Sequence, residues 1–364
     1  MRIVIKVGTS TLTTKEGLLG KKYIVALTEK LVELQTDGHE VLIVSSGAIG
    51  AGRSHLGINT KPKTTLRDKQ AFAAVGQPLV MNAYSEAFAK YGKTVAQILL
   101  TRYVFDKRVE YINARNTLNT LLENDIIPII NENDSISIDE INFGDNDTLA
   151  ALVASAIDAD KLIIFTDVDG FYSGNPETSS IIPTIERITE EIESFAMSVS
   201  SSGKGIGGMK TKIFAAKIAS ASGVDTVITN GLKLNLLKNI VLGCQVGTIV
   251  KAKKQRLEAK KSWIAFSKKP KGTVFIDVKA SDALINKGKS LLAVGIVKID
   301  GSFQRGDTVY IANTDTEKDF ARGLTNYSNE ILEKIKGKKT TEMKKIINVI
   351  EDEVIHRNNL VIMR

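Results

Sequence analysis

The first 250 residues alternate short apolar runs with longer amphipathic segments. The apolar runs are rich in Val, Ile and Leu, and Gly- or Asn-rich turns follow them, which is typical of buried β-strands. These runs lie at residues 3–7, 41–44, 95–100, 126–130, 162–165 and 226–228. The amphipathic segments have the period of an α-helix and lie at 22–35, 67–90, 111–122, 148–157 and 209–221. Strands that alternate with helices predict an α/β fold, a mainly parallel sheet sandwiched by helices.

The pattern changes after a lysine-rich stretch that begins near residue 251. Short strand candidates then occur at 273–278, 295–299, 307–312, 320–324 and 348–350, with one helix at 329–336. Gly, Asp and Asn turns separate them, which predicts a second, smaller, mostly β domain. We therefore divide the chain into an α/β domain at 1–255, a linker at 256–270, a β domain at 271–350 and a C-terminal tail at 351–364.

The composition narrows the class of protein. Hydrophobic residues make up 43% and charged residues 25% of the chain, as in soluble globular proteins. No run approaches the roughly 20 apolar residues of a membrane helix, and the N-terminal segment lacks a signal-peptide pattern. A single cysteine, Cys244, and three scattered histidines argue against an internal disulfide and against a Cys/His metal cluster. These features predict a cytoplasmic protein that is not bound to a membrane.

Charge is distributed unevenly along the chain. Residues 1–250 carry 25 Lys and Arg against 27 Asp and Glu, a net charge of −2, whereas residues 251–364 carry 24 against 14, a net charge of +10. A basic block of this kind can bind RNA or another polyanion. The alternative is a solvated lysine-rich surface, because few aromatic residues lie among the lysines.

Two loops in the first 60 residues have the residues of a phosphate site. Lys6 lies in an apolar strand, where its ammonium group needs a partner. At the end of the strand it can reach a phosphate, and Gly8 allows a close backbone approach; the alternative is that the ammonium group extends to solvent. The Gly-rich run at 45–52 follows another strand and offers free backbone N–H groups to an anion, unless its glycines only serve packing.

Three further loops are rich in polar groups. Asn and acidic residues cluster at 131–134 and at 143–147, after the fourth strand. They can bind an amino group, orient lysines or bind a hydrated Mg²⁺, and Asp147 can also cap the next helix. The run Thr166-Asp167-Val168-Asp169-Gly170 follows the fifth strand. The Gly- and Lys-rich run at 203–212 opens a helix and suits a phosphate; as a dinucleotide fingerprint it fails, because a poor strand precedes it.

Seven runs occur in a recognisable order along the chain: IKVGTS, SSGAI, KQ with AVGQ, NARNTL, IINEND, GDND and GGMKTK. This ordered set resembles the bacterial glutamate 5-kinases of the amino acid kinase superfamily. The C-terminal β domain, with its Gly301-x-Phe303-x-Arg305-Gly306-Asp307 turn, resembles a PUA domain. Within the superfamily the alternatives are an aspartate or an acetylglutamate kinase, which the PUA-like region disfavours. From another class, the alternative is an RNA-binding or RNA-modifying protein.

The resemblance implies a chemical reaction and roles for individual residues. The chain would phosphorylate the side-chain carboxylate of L-glutamate with Mg-ATP to glutamyl 5-phosphate, the first step of proline biosynthesis. Lys6 and Lys212 would neutralise the transferring phosphoryl group, and Asp147 would hold the two lysines. Glutamate would bind at Ser46, Asp134 and Asn146. ATP would bind at Lys6, Gly8, Thr166, Asp167, Gly207, Gly208, Met209, Lys210, Thr211 and Lys212.

The resemblance also implies partners. The Mg²⁺ would come with the nucleotide, so no separate protein metal site is expected. Free proline would act as a feedback inhibitor, the chain would form a dimer or tetramer, and the PUA-like domain could contact RNA.

Overall fold

The computed structural model describes residues 1–14, 18–58, 64–101, 104–105, 107–136, 146–174, 178–200, 208–253, 261, 264–265, 270–347 and 351–363. The chain forms two compact units, Met1–Arg256 and Leu257–Arg364. Among the described helices, none is both long enough and apolar enough to cross a membrane.

The larger unit is built on an eight-stranded sheet with the order β3-β4-β2-β1-β5-β7-β8-β6. Its strands are β1 Arg2–Val7, β2 Glu40–Ser45, β3 Val95–Leu100, β4 Ile127–Glu132, β5 Lys161–Thr166, β6 Thr184–Ile185, β7 Asp225–Asn230 and β8 Thr248–Val250. Neighbouring strands are parallel except β7 and β8, which are antiparallel. The central strand β1 therefore lies between two parallel neighbours, and its carboxyl end adjoins theirs.

Helices connect the strands of the larger unit. They are α1 Thr9–Leu12, α2 Lys21–Thr36, α3 Ala48–His55, α4 Leu66–Ala89, α5 Arg108–Glu123, α6 Asn146–Ala156, α7 Glu190–Ser200, α8 Met209–Ala221 and α9 Leu237–Val241. Ile3, Ile5 and Val7 of β1 share one apolar core with buried residues of α2 and α4. Helix α6 is buried along almost its whole length, from Asp147 to Ala156. The first residues of α6 are thus held rigidly beside the strand ends.

The smaller unit contains a five-stranded sheet with the order β10-β9-β11-β12-β13. Its elements are β9 Gly272–Ile276, α10 Val278–Lys287, β10 Ile296–Gly301, β11 Thr308–Asn313, β12 Asp319–Leu324, α11 Asn329–Ile335, α12 Thr340–Ile346 and β13 Leu360–Ile362. The pairs are antiparallel except β9 with β11, which is parallel. A separate apolar core, which includes Val274, Phe303 and Tyr327, stabilises this unit.

The predicted fold class is confirmed. All six predicted strands of the larger unit and all five of its predicted helices are present, with ends that agree within about three residues. The run at 45–52 was predicted to lead from a strand to a helix, but no bounds were predicted for α3 because its sequence, AIGAGRSH, is rich in glycine; the helix begins after Gly47, whose φ of +97° turns the chain out of β2.

In the smaller unit, four of the five predicted strands and the predicted helix are present. The fifth predicted strand, 348–350, lies outside the described residues. The segment 351–364, predicted to be a tail, instead supplies β13, which pairs antiparallel with β12. A strand of three residues has too few positions for a period-two pattern, so the sequence carried no signal for it. The exact domain boundaries stay a prediction.

Candidate active site

Parallel pairing places the loops of the larger unit at one edge of the sheet. Strands β4, β2, β1 and β5 are neighbours in that order, and Val7 at the end of β1 pairs with Ser45 at the end of β2. Ligands of such sheets bind beyond the carboxyl ends of the strands. Residues that lie more than a hundred positions apart in the sequence therefore face one another here.

A buried carboxylate joins two lysines at the centre of this edge. Lys6 Nζ, at the end of β1, lies 2.8 Å from Asp147 Oδ1, and Lys212 Nζ, in the first turn of α8, lies 3.3 Å from Asp147 Oδ2. Thr211 Oγ1 donates a hydrogen bond of 2.7 Å to Asp147 Oδ2. Only 1% of Asp147 and 7% of Lys6 is exposed. Three distant segments thus meet in one cluster; the catalytic roles that the resemblance implies for Lys6, Asp147 and Lys212 stay a prediction.

The electrostatics of this cluster favour an anionic ligand. Burial would raise the pKa of Asp147, but attraction by Lys6 and Lys212 outweighs burial and holds the pKa below its ordinary value. Burial lowers the pKa of Lys6; attraction by Asp147 opposes that change, and repulsion by Lys212 adds to it. Two ammonium groups share one carboxylate, so an incoming anion would relieve the repulsion between the lysines.

Gly8 leaves space beside the Lys6 ammonium group. A Cβ atom at this position would lie 3.2 Å from Lys6 Nζ. Since glycine has no side chain, a ligand oxygen can approach Lys6 from this side.

Beside the lysines, a network of amides lies between β2, β4 and α6. Asn146 Nδ2 donates hydrogen bonds to Ser46 Oγ at 2.8 Å and to Asn131 Oδ1 at 2.9 Å. Asn131 Nδ2 in turn donates to Gln77 Oε1 of α4 at 2.9 Å. Asn146 Oδ1 is buried and has no hydrogen-bond donor within the part of the chain that the structure describes. This oxygen can therefore accept a hydrogen bond from a ligand. Its orientation is fixed because Asn146 Nδ2 is already bound to Ser46 and Asn131.

Asp134 lies next to this network in a small depression that Ala48, Ala73, Gln77 and Glu132 also line. Burial raises its pKa to about 7, and the nearby Glu132 carboxylate contributes to the increase. Within the described residues, Asp134 makes no ion pair or hydrogen bond. A half-buried carboxylate of this kind would be stabilised by a cationic ligand group. Ser46 and Asn146 share a hydrogen bond, and Asp134 lines a depression with Gln77 of the same network; we call these three residues, predicted together, the polar wall.

The residues predicted to bind the nucleotide lie around the same edge. Thr166, at the end of β5, donates from its hydroxyl to Asp167 Oδ1 at 3.1 Å. Gly208 precedes α8 as its N-cap, and Lys210 is exposed whereas Met209 is buried. The Thr211 hydroxyl is directed at Asp147. Gly207 lies outside the described residues.

Two contacting residues were not assigned a role from the sequence. Gln77 and Asn131 stood in recognised runs, but only the fold shows that their side chains meet. A signal was present for Gln77, a polar residue within the otherwise apolar face of a long helix.

Comparison with known proteins agrees with this geometry. The profile "Amino acid kinase family" matches residues 1–230, and the profile "PUA domain" matches residues 272–347. The fold and the site therefore define a member of the amino acid kinase family with a C-terminal PUA domain.

Close relatives narrow the assignment. "Glutamate 5-kinase" of Thermoanaerobacter sp. (strain X514) is 47% identical over all of this chain and 98% of the relative. The proteins of the same name from Dictyoglomus thermophilum and Geobacter sulfurreducens are 46% and 44% identical, over all of this chain and 97% of each relative. The chain thus belongs to the glutamate 5-kinase family, which confirms the predicted family and the prediction that the chain is a kinase.

Proposed function

We propose that the chain transfers the γ-phosphoryl group of ATP to the side-chain carboxylate of L-glutamate and forms glutamyl 5-phosphate, the first step of proline biosynthesis. The observation that carries this proposal is the buried Lys6–Asp147–Lys212 cluster together with a polar pocket that contains the half-buried acid Asp134. One part of the site suits a phosphoryl group and the other suits an amino acid.

The two lysines serve the transition state. Phosphoryl transfer depends on positioning and on neutralising the charge that spreads over the phosphoryl oxygens. Asp147 fixes both ammonium groups, and Gly8 leaves room for an oxygen next to Lys6. A glutamate side chain is already ionised at neutral pH, so the nucleophile requires no general base.

The polar wall would bind the amino-acid part of glutamate. Its ammonium group carries three donors and a charge, which the Asp134 carboxylate and the free Asn146 Oδ1 complement. The Ser46 hydroxyl accepts from Asn146 and can donate its own proton to a substrate carboxylate. This arrangement would favour free glutamate over N-acetylglutamate, which lacks the ammonium group and would leave Asp134 without a partner.

The nucleotide would lie across the ends of β1 and β5 and the start of α8. The proposed nucleotide-binding residues are those implied by the resemblance: Lys6, Gly8, Thr166, Asp167, Gly207, Gly208, Met209, Lys210, Thr211 and Lys212. The described residues include no group of three or more His, Cys, Asp or Glu side chains that could hold a metal ion. We propose that Mg²⁺ would come with the nucleotide and would help to neutralise the charge of its phosphates.

One assay tests the proposal directly. Purified protein is incubated with Mg-ATP and hydroxylamine, which traps acyl phosphates as hydroxamates, together with glutamate, aspartate or N-acetylglutamate. We expect hydroxamate with glutamate at a rate at least tenfold above that with either competitor. Equal rates with N-acetylglutamate would contradict the role of Asp134, and no product with any of the three would contradict the function.

Further partners follow from the same site and from charge. We propose that free proline inhibits by occupying the ammonium subsite, so Asp134→Ala should reduce inhibition by proline as well as glutamate binding. We also propose a dimer or tetramer, action in the cytoplasm, and RNA contact through the basic C-terminal region, where residues 251–364 carry a net charge of +10. RNA retention that falls steeply between low and physiological salt would support the last proposal.

A further inference from the structure

A polar side chain interrupts the apolar face of α4 next to the candidate site. Gln77 is 7% exposed, and Ala73, Val80 and Tyr84 on the same face of the helix are buried. A buried amide is tolerated where its hydrogen bonds are made. Gln77 Oε1 accepts such a bond from Asn131 Nδ2, so the partner of this amide is the next residue toward the site.

The hydrogen bond that Gln77 accepts from Asn131 is the first of a chain of amide contacts. Because Asn131 Nδ2 faces Gln77, Asn131 Oδ1 faces the other way, where it accepts from Asn146 Nδ2 at 2.9 Å and from the Glu132 backbone N–H at 2.9 Å. Asn146 Nδ2 is thereby engaged, and Asn146 Oδ1 is left as a buried acceptor. Each amide orients the next one, and the order begins at Gln77.

We propose that Gln77 is a positioning residue that orients Asn146 toward the substrate ammonium group, acting through Asn131. This inference rests on the proposed function, in which Asn146 Oδ1 and Asp134 bind that ammonium group. A flipped Asn146 amide would present Nδ2, a donor, to a group that has only donors. Gln77 opposes the flip, because it and the Glu132 backbone N–H together hold Asn131 in the orientation that offers an oxygen to Asn146.

Helix α4 would therefore shape the substrate site without contacting the reacting groups. A second contact of the same helix supports this view: a Cβ at Gly76 would lie 1.8 Å from the Ala48 carbonyl oxygen. The backbone of α4 is thus pressed against the segment that follows Ser46. Two adjacent residues of α4 thus contact the start of α3, at Ala48, and the amide chain, at Asn131.

The first test replaces the amide by an apolar side chain of similar length. In Gln77→Met, Asn131 loses its acceptor, and we expect the KM for glutamate to rise about tenfold. The kcat and the KM for ATP should stay within about twofold. Gln70→Met is the matched control, because it makes the same change two turns earlier on the same face of α4. An unchanged glutamate KM in Gln77→Met, or an equal rise in both variants, would overturn the inference.

The second test separates action through Asn131 from a direct contact of Gln77 with substrate in the depression that it lines. Asn131→Ala removes the intermediate amide, so adding Gln77→Met to Asn131→Ala should change the glutamate KM less than twofold. Independent effects of the two substitutions would instead multiply. If Gln77→Met raises the glutamate KM tenfold both in the unmodified protein and in Asn131→Ala, Gln77 does not act through Asn131.

A third variant keeps the inference testable if Asn131→Ala does not fold. Gln77→Glu retains an oxygen that can accept from Asn131, so its glutamate KM should lie well below that of Gln77→Met. A KM as high as that of Gln77→Met would contradict the relay. Hydroxamate formation distinguishes failure of the proposed function from failure of this inference. If the unmodified protein forms no hydroxamate, the proposed function is wrong. If it forms hydroxamate normally and Gln77→Met has an unchanged KM for glutamate, only the positioning role of Gln77 is wrong.

Discussion

Asp147 shows how one carboxylate can organise a site for an anion. A buried acid between two lysines remains ionised, because their attraction outweighs the effect of burial on its pKa. It fixes both ammonium groups but balances only one positive charge. The remaining charge is available to the phosphoryl group at the point where negative charge spreads.

The first prediction concerns these lysines. Lys6→Ala and Lys212→Ala should each lower kcat on the order of 10²-fold or more, because each removes a charge that faces the transferring phosphoryl group. The KM for glutamate should change by less than about threefold. Steady-state kinetics with Lys217→Ala provide the control, since Lys217 lies on the same helix but pairs with Glu193 away from the cluster. Near-normal turnover in both lysine variants would show that the assigned roles are wrong.

The second prediction concerns the pH dependence of glutamate use. Asp134 has a pKa of about 7, so its carboxylate is mostly ionised at pH 8 and mostly protonated at pH 6. The substrate ammonium group stays charged over this range. We expect kcat/KM for glutamate to fall about tenfold from pH 8 to pH 6 at saturating ATP.

Asp134→Asn is the variant that checks this assignment. Its kcat/KM for glutamate should be lower at pH 8 and should lose most of the decline toward pH 6. The KM for ATP should be nearly unchanged. If Asp134→Asn keeps the full slope, another group titrates and Asp134 does not bind the ammonium group.

The third prediction is that the ionised carboxylate of Asp134 lowers the free energy of unfolding of the protein without substrate. The pKa of Asp134 rises on folding from 3.8 to about 7. Between these values the folded state holds more protons than the unfolded state, so the free energy of unfolding falls as the pH rises through this window. The Tm of Asp134→Asn should be up to a few degrees above that of the unmodified protein at pH 8, and the two Tm values should be nearly equal at pH 4. Calorimetry at the two values of pH measures this; an equal change at both would exclude titration as the cause.

At the scale of elements, two glycines decide how α3 and α4 approach. A Cβ at Gly52 would lie 1.9 Å from the Phe72 carbonyl oxygen, and one at Gly76 would lie 1.8 Å from the Ala48 carbonyl oxygen. Both distances are far shorter than any real contact, so only glycine permits this crossing. For Gly52 the sequence had left packing and ligand binding open, and the structure shows close packing.

The fourth prediction follows from this crossing. Alanine normally stabilises a helix relative to glycine by up to about 1 kcal/mol, but Gly76→Ala should destabilise the protein by about 2 kcal/mol or more, because the helices must separate. Gly50→Ala is the matched control in α3, where the nearest atom to a new Cβ is Thr13 Cγ2 at 3.4 Å. Urea unfolding of both variants tests this. A gain in stability for Gly76→Ala would mean that the helices can move apart freely.

At the scale of the whole molecule, the described site residues all belong to the first unit. The unit Met1–Arg256 has its own core, and the unit Leu257–Arg364 has another. Domains with separate cores can fold alone. The basic charge, in contrast, lies in residues 251–364.

The fifth prediction separates these two properties. A chain that stops at Arg256 should fold and keep glutamate kinase activity within a few-fold, while its isoelectric point falls and any retention of RNA is lost. Kinase assays and RNA retention of the two chains at two salt concentrations measure both effects. Lys6→Ala in the short chain controls for contaminating kinases. A short chain that is folded but inactive would refute the modular view.

The sequence by itself determined the elements and the chemistry of the loops. Apolar runs and helical periods are local properties, so the strands of the parallel sheet and its long helices could be predicted within a few residues. The residue types in IKVGTS and GGMKTK indicated a phosphate site, because those glycines and lysines are also visible locally. β13 is too short, and α3 too rich in glycine, for a clear local pattern. The helices α7 and α10 were also missed, although they are neither short nor rich in glycine.

Only the tertiary structure decided which side chains meet and what that does to them. The pairing order of the sheet brings Lys6, Asp147 and Lys212 together across more than 200 residues of chain. Burial, which depends on every packed element, raises the pKa of Asp134. The direction of the amide chain from Gln77 to Asn146 depends on hydrogen bonds between three separate elements. These are non-local interactions, and no window of sequence contains both partners.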